Sequence, residues 1–134
     1  MASRSLDDLH PWVKAKAIAF LARCTKNEYP ILIYETLRSS EEQDQKFKEG
    51  KSNAHGGDSP HQYGLAFDCI PLLRDGRPEW NSTSGLWDIL YKLADECGLD
   101  PLGMKGGEYL PWDRGHFQEP GWRLVKDLIA TKST

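Results

Sequence analysis

An apolar run near the middle of the chain carries a single carboxylate, and this feature constrains the fold most. The run, Leu65–Leu72 (LAFDCIPL), has the length and composition of a buried strand. Alternation along a strand puts Ala66, Asp68 and Ile70 on one face, so Asp68 is a carboxylate on an otherwise apolar surface. Burying a carboxylate is costly unless it is paired or bound to a metal. Asp68 therefore requires a cation or a strong donor, and an arginine and a metal ion both remain open.

Size and charge narrow the class of protein. The chain has 134 residues, with 17 basic and 20 acidic side chains and a net charge of −3. A chain of this size buries enough surface for an ordinary core, so we expect one domain over residues 1–134, present as a monomer. The charge balance lacks the basic footprint of a nucleic-acid-binding protein, and no apolar run is long enough for membrane insertion. The N-terminus lacks the pattern of a signal peptide, which predicts a soluble chain made in the cytoplasm.

Helical and strand-like segments interleave along the chain. The gaps between strands are uneven, which favours an α+β fold with a small antiparallel sheet flanked by helices over a doubly wound parallel sheet. The three cysteines, Cys24, Cys69 and Cys97, form no C-x-x-C pair, and we expect reduced, mostly buried thiols. The sequence predicts helices over 12–24, 40–48, 86–97 and 122–129, a buried strand over 31–37 and another strand over 65–72. Residues 110–118 are predicted to form either a final strand pair or an extended segment.

Two histidines lie in segments that also hold acidic residues. A catalytic zinc ion takes three protein ligands and keeps a fourth position open. His61, Asp68 and His116 could supply such a set, because Gly64 allows the chain to turn after His61 and carry Asp68 back towards it. Asp113 lies three residues before His116 and could act as a general base beside the metal. An exposed aspartate in a turn is the alternative for Asp113.

Two segments together resemble a known family. SPHQYGLAFD at 59–68 and WDRGHFQ at 112–118 are similar to the S-x-H-x-x-G-x-A-x-D and D/E-x-x-H signatures of the VanY-type zinc peptidases. TLRSSEEQDQKFKEG at 36–50 resembles the segment in which a strand, an arginine and a helix follow one another in that family. The superfamily includes D-alanyl-D-alanine carboxypeptidases, phage endolysins and the hedgehog signalling domain. The resemblance implies a fold of the hedgehog and D-Ala-D-Ala-peptidase type.

The resemblance also implies roles for single residues. It makes His61, Asp68 and His116 the ligands of one zinc ion per chain, and it makes Asp113 the catalytic base. In this family Asp113 would take a proton from water and return it to the leaving amine.

Three further residues are candidates for substrate contacts. The resemblance implies that Arg38 polarises the scissile carbonyl or holds a substrate carboxylate, and that Ser59 contacts the substrate. The alternatives are a surface ion pair between Arg38 and a nearby glutamate, and ordinary turn chemistry at Ser59. Trp112, next to Asp113 in the sequence, is our candidate for a wall of the substrate groove.

Within the family, the motif favours one activity. Endolysin-like members resemble this chain in having an aspartate at the base position, followed by His-Phe. We therefore expect an L-alanyl-D-glutamate endopeptidase that acts on bacterial peptidoglycan, made in the host cytoplasm during phage infection and released onto the cell wall. The alternatives are a D-alanyl-D-alanine carboxypeptidase and a zinc-containing binding module without turnover.

Overall fold

The computed structural model shows helices packed on a small antiparallel sheet. Element order and topology agree with the predicted α+β class. The structure describes residues 4–37, 40–50, 60–81, 85–101, 104–105, 108–109 and 115–132.

The first helix, α1, spans Pro11–Lys26. It begins at Pro11, where the missing N–H costs no hydrogen bond, and His10 caps it by accepting a hydrogen bond at Nδ1 from the Trp12 N–H (3.2 Å). The helix begins one residue before the predicted range and ends two residues after it, at Lys26; Asn27 caps this end by donating to the Arg23 carbonyl from its backbone and its side chain. Its buried residues are spaced at three and four, as the sequence predicts: Val13, Ala17, Phe20 and Cys24.

The main sheet of the described residues has the strand order β1-β2-β6-β3, with every neighbouring pair antiparallel. A separate two-stranded ribbon pairs β4 with β5. The strands are β1 (Ile31–Glu35), β2 (Ala66–Pro71), β3 (Asp100–Pro101), β4 (Met104–Lys105), β5 (Glu108–Tyr109) and β6 (His116–Gln118).

The prediction of a buried strand over 31–37 is wrong in two respects. The strand ends at Glu35, and most of its side chains are half-buried or exposed, with Leu32 41% exposed. The physical reason is that β1 lies at the edge of the sheet and hydrogen-bonds on one side to β2. The apolar run at 65–72 contains β2, an inner strand that pairs with β1 on one side and β6 on the other and has both faces covered.

The other helices have the predicted positions, with one change in the buried face. They are α2 (Ser40–Lys48), α3 (Gly85–Glu96) and α4 (Trp122–Lys132). In α3 the residues that enter the core are Trp87, Leu90, Tyr91 and Ala94. The helical spacing of the aliphatic residues and Cys97 instead predicts a buried stripe of Leu86, Ile89, Leu90, Leu93 and Cys97, and Ile89 is exposed. The buried face of α3 is the one that carries Trp87 and Tyr91, because these large rings bury the most apolar area.

Aromatic side chains join the sheet to the helices. Phe67 of β2 stacks on Phe117 of β6 with ring centroids 5.7 Å apart, and Phe20 of α1 and Tyr91 of α3 contact this pair from the helical side. The three cysteines are free thiols, and Cys24 and Cys69 are buried. In the part of the chain that the structure describes, no helix combines the length and apolar character that crossing a bilayer demands.

Candidate metal centre

His61 is brought to the sheet by a tight glycine turn. It lies in a short 3₁₀ helix, Pro60–Tyr63, immediately before β2. Gly64 has φ of +68°, and a Cβ there would lie 2.6 Å from the His10 backbone nitrogen, so the turn requires glycine. The Gly64 carbonyl accepts a hydrogen bond from His10 N–H, which ties this turn to the start of α1. The chain thus folds His61 back over the strand that follows.

Asp68 and His116 come together through the pairing of β2 with β6. The two residues are direct partners in the antiparallel ladder, so their side chains project from the same face of the sheet. Asp68 Oδ1 lies 3.2 Å from His61 Nε2 and 3.5 Å from His116 Nδ1. The two imidazole rings meet edge to face with centroids 5.0 Å apart. Each of the three residues offers a ligand atom within 4.8 Å of the other two.

The outer nitrogen of each imidazole is held by an oxygen atom. His61 Nδ1 lies 3.0 Å from the Thr36 carbonyl, and His116 Nε2 lies 2.9 Å from Gln118 Oε1. A carbonyl oxygen only accepts, so the outer nitrogens carry the protons, with the Gln118 amide oriented by this network. In the neutral tautomers the inner nitrogens then carry lone pairs directed towards Asp68. Three electron-pair donors therefore converge at one point.

This donor set fits a zinc ion. Zinc binds imidazole nitrogen and carboxylate oxygen at roughly 2.0–2.2 Å, so adjacent ligand atoms of a tetrahedral site are about 3.4 Å apart. The two measured separations from Asp68 Oδ1, 3.2 and 3.5 Å, lie on either side of that value. Histidine ligands of metals also donate their outer N–H to an oxygen, which fixes the tautomer and the ring orientation. His61 and His116 both have such a partner.

Electrostatics keep Asp68 ionised. Burial by itself would raise the pKa of its carboxyl group, but in the metal-free chain the imidazoles of His61 and His116, when their inner nitrogens also carry protons, outweigh burial and hold the pKa well below its usual range. A carboxylate in this state is an acceptor with no proton to lose. It is therefore ready to bind a cation.

The structure thus brings together His61, Asp68 and His116, the three residues that the sequence proposes as metal ligands. Their role as zinc ligands stays a prediction. Arg38, Ser59, Trp112 and Asp113 lie outside the described residues, and their proposed roles also stay predictions.

Sequence reasoning missed the oxygens that hold the two imidazoles. Gln118 could have been found, because it lies two residues after His116 and two-residue spacing keeps both side chains on one face of a strand. The Thr36 carbonyl carries no signal in the sequence, because any residue offers the same backbone oxygen. His10 had no assigned role, and it proves to cap α1.

Comparison with solved structures identifies the fold. The fold is similar to that of the L-Ala D-Glu endopeptidase ChiX of Serratia marcescens, with a TM-score of 0.71 and 20% sequence identity over 92% of each chain. It is also similar to a variant of the vancomycin resistance D,D-pentapeptidase VanY in complex with Zn(II), with a TM-score of 0.60 and 12% identity over 90% of this chain and 77% of that one. The chain has the fold of the VanY-type peptidases.

A curated relative extends the likeness to sequence. The peptidoglycan L-alanyl-D-glutamate endopeptidase CwlK of Bacillus subtilis (strain 168) is 37% identical over 91 residues, which are 63% of this chain and 50% of the relative. The match thus spans half the length of that relative. No family model matches the chain. The chain is thus similar in sequence to CwlK over this span and similar in fold to the VanY-type peptidases.

Proposed function

We propose that the chain is a zinc-dependent peptidase that cleaves the stem peptide of bacterial peptidoglycan at the L-alanyl-D-glutamate bond. The observation that carries the proposal is the convergence of His61 Nε2, Asp68 Oδ1 and His116 Nδ1, with the outer nitrogen of each imidazole held by an oxygen. This arrangement supplies three ligands and leaves a tetrahedral ion one further position for the reaction.

The candidate site residues have different roles in the proposed reaction. His61, Asp68 and His116 hold the ion, which would supply a Lewis acid for the scissile carbonyl and would lower the pKa of water to about 7. Asp113, three residues before His116, accepts the proton of the attacking water and returns it to the leaving amine. Arg38 stabilises the negative charge that develops on the carbonyl oxygen or binds a substrate carboxylate. Ser59 and Trp112 contact the substrate.

The choice of bond rests on the relatives. CwlK and ChiX are both named as L-alanyl-D-glutamate endopeptidases, and ChiX matches this chain with the higher TM-score and over more of its length than VanY does. The likeness to VanY supports a second candidate, a carboxypeptidase that removes terminal D-alanine. Such an enzyme needs a group that binds the free carboxylate of its substrate, and Arg38 is the candidate for that contact.

The proposal extends to a biological role. The resemblance of the Asp113–Phe117 segment to endolysins supports a phage lysis enzyme, made as a monomer in the host cytoplasm and released onto the wall. Fractionation of infected cells before and after lysis tests the location, and light scattering of the purified chain tests the monomer. A stable dimer would contradict the second expectation.

One experiment tests the activity and the bond together. Purified peptidoglycan is digested with the zinc-loaded chain, and the new termini are identified by mass spectrometry. New amino ends on D-glutamate support the endopeptidase, and loss of terminal D-alanine supports the carboxypeptidase instead. A chain that binds one zinc ion but releases no product is the binding module, which would contradict the proposal.

Two controls distinguish the role of the metal ion from the role of the general base. A chelator should abolish product formation, and added zinc should restore it. Asp113→Asn should retain the zinc ion and lose activity by about 10²–10⁴-fold, the usual contribution of a general base. Full activity of Asp113→Asn would contradict the role of that residue.

A further inference from the structure

A large aromatic side chain lies exposed on the hairpin that follows β2. Trp80 is 55% exposed, whereas Trp87 and Trp122 are buried. A single exposed apolar side chain is common on protein surfaces, so exposure alone assigns no role to Trp80. The role follows from where the backbone places Trp80 and from the contact that holds its ring.

Backbone hydrogen bonds place the segment around Trp80 beside the start of β6. In an antiparallel sheet, alternate residues of a strand hydrogen-bond to the same side. On that side of β2, the Cys69 N–H donates to the Gly115 carbonyl (2.9 Å). Further along the strand, the Pro71 carbonyl accepts a hydrogen bond from the Glu79 N–H (2.9 Å). Two residues of a strand span about 7 Å, so Trp80 follows a residue that lies about this distance along β2 from Gly115.

The Trp80 ring is held by Tyr34, which reaches across the sheet. Tyr34 lies in β1 at a bulge, where the register with β2 shifts, and β2 separates β1 from β6. A Cβ on Gly115 would lie only 2.5 Å from the Tyr34 hydroxyl oxygen, so the phenol ends against the residue before His116. Trp80 packs edge to face on Tyr34, with ring centroids 6.1 Å apart. One aromatic side chain therefore links the exposed Trp80 ring to the backbone beside the metal centre.

The proposed substrate carries a sugar close to the bond that is cut. The stem peptide is joined through its L-alanine to a sugar of the glycan strand, and the L-alanyl-D-glutamate bond contains the carbonyl of that alanine. The alanine and the group that joins it to the sugar are together about two residues long, so the sugar lies roughly 7 Å from this carbonyl. A similar length of β2 separates the residues bonded to Gly115 and to Glu79. A sugar ring can therefore reach Trp80 while its alanine lies at the metal centre.

An indole ring suits such a partner. The faces of a sugar ring present C–H groups, and its hydroxyl groups project from the rim. The face of an aromatic ring carries partial negative charge, which attracts C–H groups that stack on it. The hydroxyl groups stay in water, so stacking leaves few polar groups without a hydrogen bond.

We propose that Trp80 binds the sugar to which the stem peptide is attached, by stacking its indole on the face of the sugar ring. This contact gives the site a preference for peptides that still carry the sugar. The inference rests on the proposed L-alanyl-D-glutamate activity and adds a sugar subsite to it.

A pair of ligands that the enzyme cannot cleave tests the contact directly. N-acetylmuramyl-L-alanine carries the sugar and N-acetyl-L-alanine lacks it, and neither contains the scissile bond. Isothermal calorimetry measures their binding to the intact, zinc-loaded chain. The sugar should tighten binding by about five- to tenfold, and Trp80→Ala should remove this gain. With sugar-linked and sugar-free stem peptides as substrates, Trp80→Ala should raise the KM of the sugar-linked peptide by a similar factor and leave kcat within about twofold.

Two further variants serve as controls. Trp12→Ala makes the same change at a tryptophan that is 47% exposed at the start of α1, and it should leave the gain from the sugar unchanged. Trp80→Phe keeps an aromatic face and should retain the gain within about threefold. Circular dichroism checks the fold of each variant. If Trp80→Ala does not fold, Trp80→Leu replaces it, because leucine keeps apolar bulk, lacks an aromatic face and should also lose the gain.

The outcomes are distinct. Equal binding of the two ligands by the unmodified chain, or an unchanged gain in Trp80→Ala, would overturn the inference. An equal loss in Trp12→Ala or in Trp80→Phe would also overturn it, because the effect would then not depend on an aromatic face at this position. If the unmodified chain cleaves neither peptide, it is the proposed function that fails, and the two ligands still test the sugar contact. If it cleaves both peptides and Trp80→Ala changes neither KM, only the inference fails.

Discussion

Two carboxylates with little exposure to solvent, Glu119 and Asp68, each lie at the centre of a polar cluster, and the groups that pair with them differ. Glu119, just after β6, accepts two contacts from Lys16 Nζ at 2.6 and 2.8 Å and a third from Trp12 Nε1 at 3.0 Å. Asp68, at the centre of the sheet, meets two imidazoles at 3.2 and 3.5 Å. The first carboxylate is paired with the ammonium group of a lysine. The second is paired with groups whose charge depends on a proton or a metal ion.

The difference distinguishes a structural ion pair from a candidate metal-binding site. Lys16 also donates to the Gly98 carbonyl (3.2 Å), so the Glu119 cluster joins α1, the end of α3 and the end of β6 without outside help. At Asp68 the outer imidazole nitrogens donate to Thr36 and Gln118, which leaves the inner nitrogens as acceptors. Such a cluster of acceptors is stable only when a proton or a metal ion lies between its members. We therefore expect changes at Glu119 to affect folding and changes at Asp68 to affect zinc.

The largest effect should follow from Asp68→Asn. The amide cannot replace an anionic ligand, so zinc binding should be lost at micromolar concentrations. Peptidoglycan hydrolysis should fall by about 10³-fold or more, the equivalent of the several kcal/mol that a Lewis acid supplies. Zinc content by atomic absorption and the rate of product release check both expectations. The control is Asp75→Asn, which makes the same change at an exposed turn where Asp75 pairs with Arg77. A zinc-loaded, active Asp68→Asn variant would remove the distinction between the two clusters.

A somewhat smaller effect, on folding alone, should follow from Lys16→Met. This change leaves the Glu119 carboxylate with little exposure and without its ammonium partner, which costs about 3 kcal/mol of unfolding free energy. Urea unfolding measures the loss, and chelator competition should show zinc affinity unchanged in the folded protein. The double variant Lys16→Met/Glu119→Gln should regain most of the stability, because no charge remains and the amide oxygen still accepts the hydrogen bond of Trp12. A double variant as unstable as the single one would show that the cluster does not work as an ion pair.

The sequence could predict that His61, Asp68 and His116 lie together, because the signals for this cluster are local. Asp68 interrupts an apolar run, Gly64 marks the turn after His61, and the element order of an α+β chain follows from the periodicity of each segment. The Lys16–Glu119 pair has no such signal, because the two residues are 103 positions apart and each is ordinary in its own segment. Only the packing of α1 against the end of β6 makes them neighbours. Long-range pairs of this kind are not encoded in any window of the sequence.

The bulge in β1 shows a second limit of sequence reasoning. Alternation assigns Tyr34 and Glu35 to opposite faces from their positions alone, and it cannot reveal that the register with β2 shifts between Ile33 and Glu35. The exposure of β1 was missed for a related reason. The composition of an apolar run does not indicate whether its strand pairs with one neighbouring strand or with two. The number of neighbours depends on the order of the strands in the whole sheet.

The pH dependence of folding stability should also distinguish the Asp68 cluster from the Glu119 cluster, with an effect of intermediate size. The pKa of Asp68 is lower in the folded protein than its ordinary value, so the unfolded chain binds more protons near pH 4 and stability falls as the pH drops through that range. Each unit of pKa difference corresponds to about 1.4 kcal/mol. In the presence of a chelator, Asp68→Asn should therefore lose less stability than the unmodified chain between about pH 5 and pH 3. Parallel curves for the two proteins would show that Asp68 has no favourable charge partner in the fold.

The smallest effect should come from the thiol next to Asp68 in β2. Cys69 projects from the opposite face of the strand, and burial, followed by the charges of Cys24 and Asp68, raises the pKa of its thiol well above the usual range. A neutral thiol on the core side of the sheet cannot serve as a zinc ligand, because ligation requires the thiolate. Cys69→Ala should leave zinc affinity unchanged and lower stability by about 1 kcal/mol, the central value for a core substitution. Burial, and then the charge of Cys97, raise the pKa of the Cys24 thiol to about 11. In the native chain Cys24 and Cys69 should therefore both resist a thiol reagent at pH 8, and both should react after unfolding. Loss of zinc from Cys69→Ala would mean that the two faces of β2 are not independent, and the division between a closed structural core and an open metal centre would have to be abandoned.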